Sequence, residues 1–244
     1  MKKALCSMIS FAMLAMLLFG CGSTDAQGRP KKKAVKREPA ESTQLQLQGP
    51  QPGDMIAIFD TSMGEIRAVL YPQYAPMAVE NFVGLCENGY YNGTSFHRVI
   101  YGFAVQGGDA SGTGQKGSTI WDNQPFPAEF SNQLHHYAGA LCAARSPEEE
   151  ASTASQFYFV QALQQPLEEA LQAQLEQAGI DAAVIEAYNA AGGLAYLDYT
   201  DTVFGQVYQG MEIVDEIARV ETDEKDRPLE DVIVNSITIS SYTA

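Results

Sequence analysis

The sequence predicts a mainly β fold: a closed antiparallel barrel of eight strands, with two capping helices and an inserted helical hairpin. Three observations lead there. Eight short β-like runs follow residue 53, two separate amphipathic helices lie among them, and one helical stretch, residues 162–195, breaks the rhythm. Residues 55–59 and 65–71 are the first two strands, and Thr61-Ser62-Met63-Gly64 between them is a hairpin turn. A helix follows. Pro76 suits its first position, where a missing N–H costs nothing. Val79, Phe82, Val83 and Cys86 recur at i, i+3, i+4 and i+7 as one apolar face, and Gly89 ends the helix. Residues 95–100, 104–106, 138–143, 156–161 and 202–207 are further strands. A second helix fits 211–220, and alternation over 232–239 closes the chain. Within 162–195, Pro166 opens one helix, with Leu167, Leu171 and Leu175 on one face and Gly179 as its stop. Asp181 caps another, with Ile185 and Tyr188 on its face and Gly192-Gly193 beyond.

The chain has 244 residues, 45% hydrophobic and 10% aromatic, ample for one sizeable core. That core is expected in residues 54–244, because the first 53 read differently. Lys2 and Lys3 precede an uncharged apolar stretch, residues 4–20. A spanning helix needs about 20 residues, so this stretch suits a secretory signal peptide over residues 1–20. It ends in Leu18-Phe19-Gly20-Cys21, which resembles the lipobox of bacterial lipoproteins and makes Cys21 the lipidation candidate. Phe19 departs from that pattern, where a smaller residue is usual. An uncleaved anchor helix is the alternative. Residues 21–53 are rich in Gly, Ser, Thr, Gln and Pro and lack aromatics, so they read as a disordered tether. Its basic cluster, Arg29, Lys31, Lys32, Lys33, Lys36 and Arg37, is either a solvated linker or an attraction to anionic lipid headgroups.

With those residues set aside, 7 basic residues face 27 acidic ones after residue 53, a net charge near −20. That excludes nucleic acid as a partner, which needs a basic footprint. Cys86 and Cys142 have apolar flanks that favour small core residues, with a disulfide between them left open. Gly112-Thr-Gly114-Gln-Lys-Gly117 matches GxGxxG, but no helix pattern follows, so it reads as a loop. His97, His135 and His136 have no nearby Cys or acid set, so no metal is expected. No GxSxG is present, which disfavours a hydrolase built on that nucleophile turn.

One run stands out: Phe96-His97-Arg98-Val99-Ile100-Tyr101-Gly102-Phe103-Ala104-Val105-Gln106-Gly107-Gly108-Asp109. It resembles the signature of the cyclophilins. Ser155-Gln156-Phe157-Tyr158-Phe159-Val160 is similar to that family's Ser-Gln-Phe-Phe strand, and Val203-Phe204-Gly205-Gln206-Val207 to its Val-Phe-Gly strand. Order and spacing agree from about residue 54 to 240. The resemblance implies peptidyl-prolyl cis-trans isomerase activity on proline-containing polypeptides, with no cofactor. The chemistry suits those residue types. An X–Pro amide exchanges over a barrier of about 18–20 kcal/mol because of its partial double-bond character. No nucleophile is needed to lower it. A fixed donor to the imide nitrogen and an apolar pocket for the ring suffice, and Arg is an always-charged, rigid donor.

On that resemblance Arg98 is the catalytic donor, and Gln106 holds Arg98 and reaches the substrate carbonyl. Phe103, Ala104, Tyr158 and Leu197 form the pocket. Gln156 and the backbone around Ala144 and Arg145 bind the extended peptide, with Gly112 and Tyr196 on the rim. Taken without the motif, Phe103, Tyr158 and Leu197 would read as plain core. Four positions depart from the family: Ala104 where Met is usual, Tyr158 for Phe, Tyr196 for Trp, and Asp201 where His or Tyr is common. Asp201 adds a negative charge near the pocket, and Tyr196 predicts weak binding of cyclosporin. The whole then reads as a lipid-anchored, extracytoplasmic isomerase that assists the folding of exported proteins at the membrane. A low-activity proline-peptide binding module or chaperone on the same fold is the alternative, and surface adhesion a weaker third.

Overall fold

The structure, a computed structural model, describes residues 32–40, 42–146 and 151–243. The expected signal peptide, Cys21 and the basic residues Arg29 and Lys31 lie outside the described residues.

Among the described residues, nine strands form one antiparallel sheet. They are β1 (Met55–Thr61), β2 (Gly64–Leu70), β3 (Thr94–Ser95), β4 (Arg98–Ile100), β5 (Ala104–Gly107), β7 (Ala140–Ala143), β9 (Phe157–Val160), β10 (Thr202–Gln209) and β11 (Ile233–Ser241). A separate pair joins β6 (Phe126–Pro127) to β8 (Ala151–Thr153). The sheet runs β3-β11-β1-β2-β10-β7-β9-β5-β4. The expected closed eight-stranded barrel is therefore corrected to a curled nine-stranded sheet. The expected strand at 95–100 is broken at Phe96-His97 because the chain changes partner there: Phe96 N–H still donates to Val232 O in register with β11, whereas Arg98–Ile100 pair with β5 and Val99 N–H donates to Asp226 O. Its two halves, β3 and β4, are the outermost strands of the sheet. Two residues separate them, so their facing ends lie within about 11 Å and the sheet must curl round to meet itself.

Strand pleating sorts the side chains. Val99, Val105, Leu141, Phe157, Phe159 and Phe204 point into the curl with Phe59 and Ile66. Rings there stack edge-on or tilted, as in Phe59–Phe159 with centroids 5.0 Å apart and Phe82–Phe204 at 5.2 Å. Helix α1 (Pro76–Glu87) covers one end, burying Val79, Phe82, Leu85 and Cys86. Its N-terminal Ala75 cannot cap, so the Glu129 carboxylate, 51 and 52 residues away, accepts Met77 N–H (3.1 Å) and Ala78 N–H (2.9 Å). At the far end Gly89 takes φ +68°, with Gly89 N–H on Cys86 O and Tyr90 N–H on Leu85 O, which is a Schellman closure. Cys86 and Cys142 are buried and unpaired.

The stretch 162–195 holds α2 (Glu169–Gln177) and α3 (Ala182–Ala191). Pro166 does not open α2. Leu167 N–H is taken by Asn189 Oδ1 at 2.8 Å and Glu168 is extended, so the helix starts at Glu169. Asp181 caps α3 through Ala183 N–H (2.8 Å), and Ile185 and Tyr188 are buried while α2 buries none of its residues. A fourth helix, α4 (Met211–Ile217), follows β10 and is shorter than the expected 211–220.

The expected tether is corrected for the described part of residues 32–53, which packs on the domain as a strap. Lys32 Nζ caps the end of α4 at Ala218 O (3.0 Å) and Val220 O (2.8 Å). Arg37 pairs with Asp215. Leu45 and Leu47 join apolar clusters, and Gln46 is only 3% exposed. Its amide donates to His135 O (2.9 Å) and Gln206 Oε1 (3.0 Å) and accepts His135 N–H (2.6 Å). Composition missed this because a few deep contacts, not many shallow ones, hold the strap. Two residues of the basic cluster, Lys32 and Arg37, are thus engaged inside the molecule rather than solvated or free to meet lipid, while Lys33 and Lys36 are exposed. Gln46→Ala is expected to cost about 1–3 kcal/mol in urea unfolding, because it orphans buried backbone groups of His135. A loosely lying strap would leave stability unchanged.

Candidate active site

Register builds the site. Arg98 pairs with Gln106 across β4 and β5, Gln106 with Tyr158 across β5 and β9, Tyr158 with Cys142 across β9 and β7, and Cys142 with Val203 across β7 and β10. All five project from the outer face, because their neighbours Val99, Val105, Phe159, Leu141 and Phe204 fill the interior. The outer face is therefore polar at Arg98 and Gln106 and apolar from Tyr158 onward.

The polar end is a chain of side chains. Arg98 Nη1 donates to Gln106 Oε1 at 3.4 Å, Gln106 Nε2 to Gln156 Oε1 at 2.9 Å, and Gln156 Nε2 to Gly114 O (3.0 Å) and Lys116 O (2.9 Å). The Arg98 guanidinium carbon lies 5.9 Å from the Phe103 ring centroid, and its Nε lies 3.8 Å from Asp226 Oδ2. The guanidinium stays half exposed, with donors left over for a ligand. The apolar end packs Phe103, Ala104, Ala144, Tyr158 and Leu197 into one cluster. Ala144 N–H donates to Gln156 O at 2.9 Å, which ties the expected peptide-binding edge to β9.

Two of the departures answer each other. The Tyr158 hydroxyl donates to Asp201 Oδ2 at 2.8 Å, and Asp201 Oδ1 lies 3.7 Å from Arg145 Nε. Burial raises the Asp201 carboxyl, against lowering by the Tyr158 hydrogen bond and by His136 and Arg145. Arg145 itself donates to Thr200 O at 2.6 Å, so its side chain turns towards this pair. Tyr196 is 38% exposed on a 3-10 turn, Ala195–Leu197, beside Leu197.

The GxGxxG stretch is a loop wrapped on Asp109. Its carboxylate accepts from Ser111 N–H (2.8 Å), Ser111 Oγ (2.7 Å), Thr113 Oγ1 (3.2 Å) and Lys116 N–H (3.2 Å). Burial pushes this carboxyl up, but those bonds outweigh it and bring it down to about 2. Gly112 takes φ +64° there, and its carbonyl accepts from Arg227 Nη1 at 2.7 Å. The loop reaches the site through Gln156.

Sequence reasoning did not find the group that seats Leu197. Asp198 accepts from Tyr188 Oη (2.8 Å) and His136 N–H (2.9 Å), and its oxygens lie 2.7 Å from His135 Nδ1 and 3.0 Å from His136 Nδ1. One carboxylate thus joins α3, the approach to β7 and the 3-10 turn of Leu197. No spacing in the sequence signals it, since its partners sit 10 to 63 residues away. Among the described residues, no group of three or more His, Cys, Asp or Glu could hold a metal, and no helix is long and apolar enough to cross a membrane.

Comparison with known proteins identifies the family. Residues 56–239 match the family "Cyclophilin type peptidyl-prolyl cis-trans isomerase/CLD". A Staphylococcus saprophyticus protein named as a peptidyl-prolyl cis-trans isomerase is 40% identical over 182 residues, covering 75% of this chain and 90% of its own. One from Staphylococcus aureus, named likewise, is 38% identical over 189 residues, covering 78% and 93%. The crystal structure of a Cryptosporidium parvum cyclophilin-type isomerase, determined in the presence of the dipeptide Ala-Pro, superimposes with a TM-score of 0.61. It is 25% identical and covers 77% of this chain and 99% of that one. This chain belongs to the cyclophilin-type peptidyl-prolyl cis-trans isomerase family.

Asp198 yields a pH prediction. Burial alone would raise its carboxyl, but the bonds and charge of His135 and His136 outweigh burial and hold it at about 2, below the ordinary 3.8. A depressed carboxyl contributes stability above its unfolded value that is lost as pH falls through the folded one. The loss belongs between about pH 4 and pH 2 and is worth roughly 2 kcal/mol. Asp109 titrates in the same window, so a variant isolates the effect. In urea unfolding at pH 7, 4 and 2, Asp198→Asn is expected to be less stable at neutral pH and to lose less on acidification.

Proposed function

We propose that the outer face at Arg98 isomerises X–Pro bonds in polypeptides, and that the protein does so outside the cytoplasm, held to a membrane through Cys21. The observation that carries the catalytic assignment is the Arg98–Gln106–Gln156 chain running beside Phe103. The proline ring would enter the cluster of Phe103, Ala104, Tyr158 and Leu197. Arg98 would then donate to the imide nitrogen as the amide twists, withdrawing the lone pair that gives the C–N bond its double character. Gln106 would hold Arg98 and bond the substrate carbonyl. The Ala144 edge and Gln156 would align the chain, with Gly112 and Tyr196 on the rim. No bond is broken, so stabilisation of the twisted state by fixed donors is the whole of the chemistry.

Membrane anchorage rests on the Lys2-Lys3 start, the apolar stretch and Cys21. The strap is docked from Lys32, and the chain from Cys21 to Lys32 reaches at most about 40 Å. An anchored domain would therefore stay close to the surface, where exported chains emerge and fold. A stretch covering residues 162–195, an insertion by comparison with the cyclophilin motifs, would sit at the rim and meet protein substrates more than short peptides. The alternative of a binding module is favoured by one feature, the Tyr158–Asp201–Arg145 group in the pocket wall, which makes that wall more polar.

Arg98→Ala is expected to lower kcat/KM on a short X–Pro peptide by about 10²–10³-fold with the fold intact. Unchanged kcat/KM would remove Arg98 from catalysis and favour the binding module. Cyclosporin is expected to bind weakly. Tyr196→Trp should tighten it by at least about tenfold, since a large aromatic contact is worth about 2 kcal/mol. Calorimetric titration of both proteins reads this directly, and equal affinity would take Tyr196 off the rim.

A further inference from the structure

The strap reaches the catalytic face through a buried polar chain. Arg37 grips Asp215 with both arms of its fork, Nε to Oδ2 at 2.6 Å and Nη2 to Oδ1 at 2.7 Å, and Nη2 also donates to Ala162 O at 3.0 Å. Asp215 is 4% exposed on α4. Its Oδ1 also accepts from Gln161 Nε2 at 2.9 Å. Gln161 has no exposed surface, and its Oε1 accepts Gly102 N–H at 2.6 Å while its own N–H donates to Phe103 O at 2.9 Å. Gly102, at φ +81°, sits in the turn between β4 and β5, which Phe103 N–H closes onto Ile100 O at 3.1 Å. That turn carries Phe103 and joins the strand of Arg98 to the strand of Gln106. A second contact runs directly from the turn to the strap, Tyr101 Oη to Lys33 O at 2.9 Å.

The order of donors makes the chain directional. An ionised carboxylate only accepts, so Asp215 draws the NH₂ of Gln161 towards itself and leaves the amide oxygen for Gly102 N–H. The opposite amide orientation would set NH₂ against N–H. Asp215 holds that orientation as a buried charge, and Arg37 is the cation bonded to it. Removal of one partner from a buried pair leaves an uncompensated charge, which recruits water or new donors and disturbs its other bonds.

We infer that Arg37 is a positioning residue for proline isomerisation: acting through Asp215 and Gln161, it fixes the turn that sets Phe103 against Arg98. The inference rests on the reading of Arg98 and Phe103 as the working face. It makes the described strap residues, 32–40 and 42–48, part of the enzyme rather than a spacer.

The experiment uses the full-chain protein and a short X–Pro peptide, with kcat and KM measured at a temperature where every variant is folded by circular dichroism. Arg37→Ala is expected to lower kcat/KM by about tenfold, the scale of a small misplacement of reacting groups. Arg37→Lys, which keeps the charge and one arm, should restore part of the loss and serves in its place if the alanine variant does not fold. Gln161→Leu should lower kcat/KM similarly, and the Arg37→Ala/Gln161→Leu double variant should be little worse than either single one, because both cut one chain. The Gly102 amide resonance should move in the Arg37 variants and stay put in Lys36→Ala, whose neighbouring side chain is exposed. Lowered thermal stability with wild-type kcat and KM in Arg37→Ala would reduce the strap to a clamp and overturn the inference, as would additive losses in the double variant. An inactive wild-type protein would instead overturn the isomerase reading on which the inference stands.

Discussion

The antiparallel register across β4, β5, β9, β7 and β10 is the constraint on which the rest depends. It places Arg98, Gln106, Tyr158, Cys142 and Val203 in one row on the outside and Val99, Val105, Phe159 and Leu141 in the row within. Side chains alternate with period two, so a slip of one residue would send the guanidinium into the aromatic interior and Val105 onto the surface. The interior aromatics resist such a slip, since none could be exposed without losing its packing. Core and site are thus two faces of one pairing pattern. The curl of the sheet adds the second requirement, bringing β3 and β4 round to each other so that the break at Phe96-His97 leads straight into Arg98.

Two of the four departures, Tyr158 and Asp201, form a consistent pair with Arg145. A tyrosine in place of phenylalanine adds a hydroxyl to a buried wall, where an unpaired one would be costly. Asp201 accepts that hydrogen bond, and Arg145 faces its other oxygen. The three residues keep the wall packed while making it more polar than an aromatic ring alone. The effect falls on the apolar cluster of Phe103, Ala104, Tyr158 and Leu197 and not on the Arg98–Gln106–Gln156 chain, so the two ends of the face can vary separately.

Much of this was legible in the sequence for a physical reason. The residues from Phe96 to Asp109 lie in one short run, because a hairpin folds locally and keeps Arg98, Phe103 and Gln106 together. The strand alternation, the Gly89 and Gly179 stops and the Asp181 cap are also local, and they appear where expected. The features that escaped are long-range. Glu129 caps a helix 51 residues away, Asp198 gathers two histidines over 60 residues distant, and Arg37 meets Asp215 across 178 residues. A segment without aromatics looks unable to dock, yet Lys32, Arg37 and Gln46 meet prepared polar partners and Leu45 and Leu47 join apolar clusters. Composition measures average burial, whereas docking here depends on where single polar groups land.

Catalysis and mere capture of proline are separated directly by exchange spectroscopy. A short Ala–Pro peptide in large excess over the unmodified protein shows separate cis and trans resonances, which interconvert over tens to hundreds of seconds unaided. Magnetisation transfer between the two sets of peaks at catalytic amounts of protein is the result predicted. Peptide shifts that report binding, with no exchange between cis and trans, would contradict it.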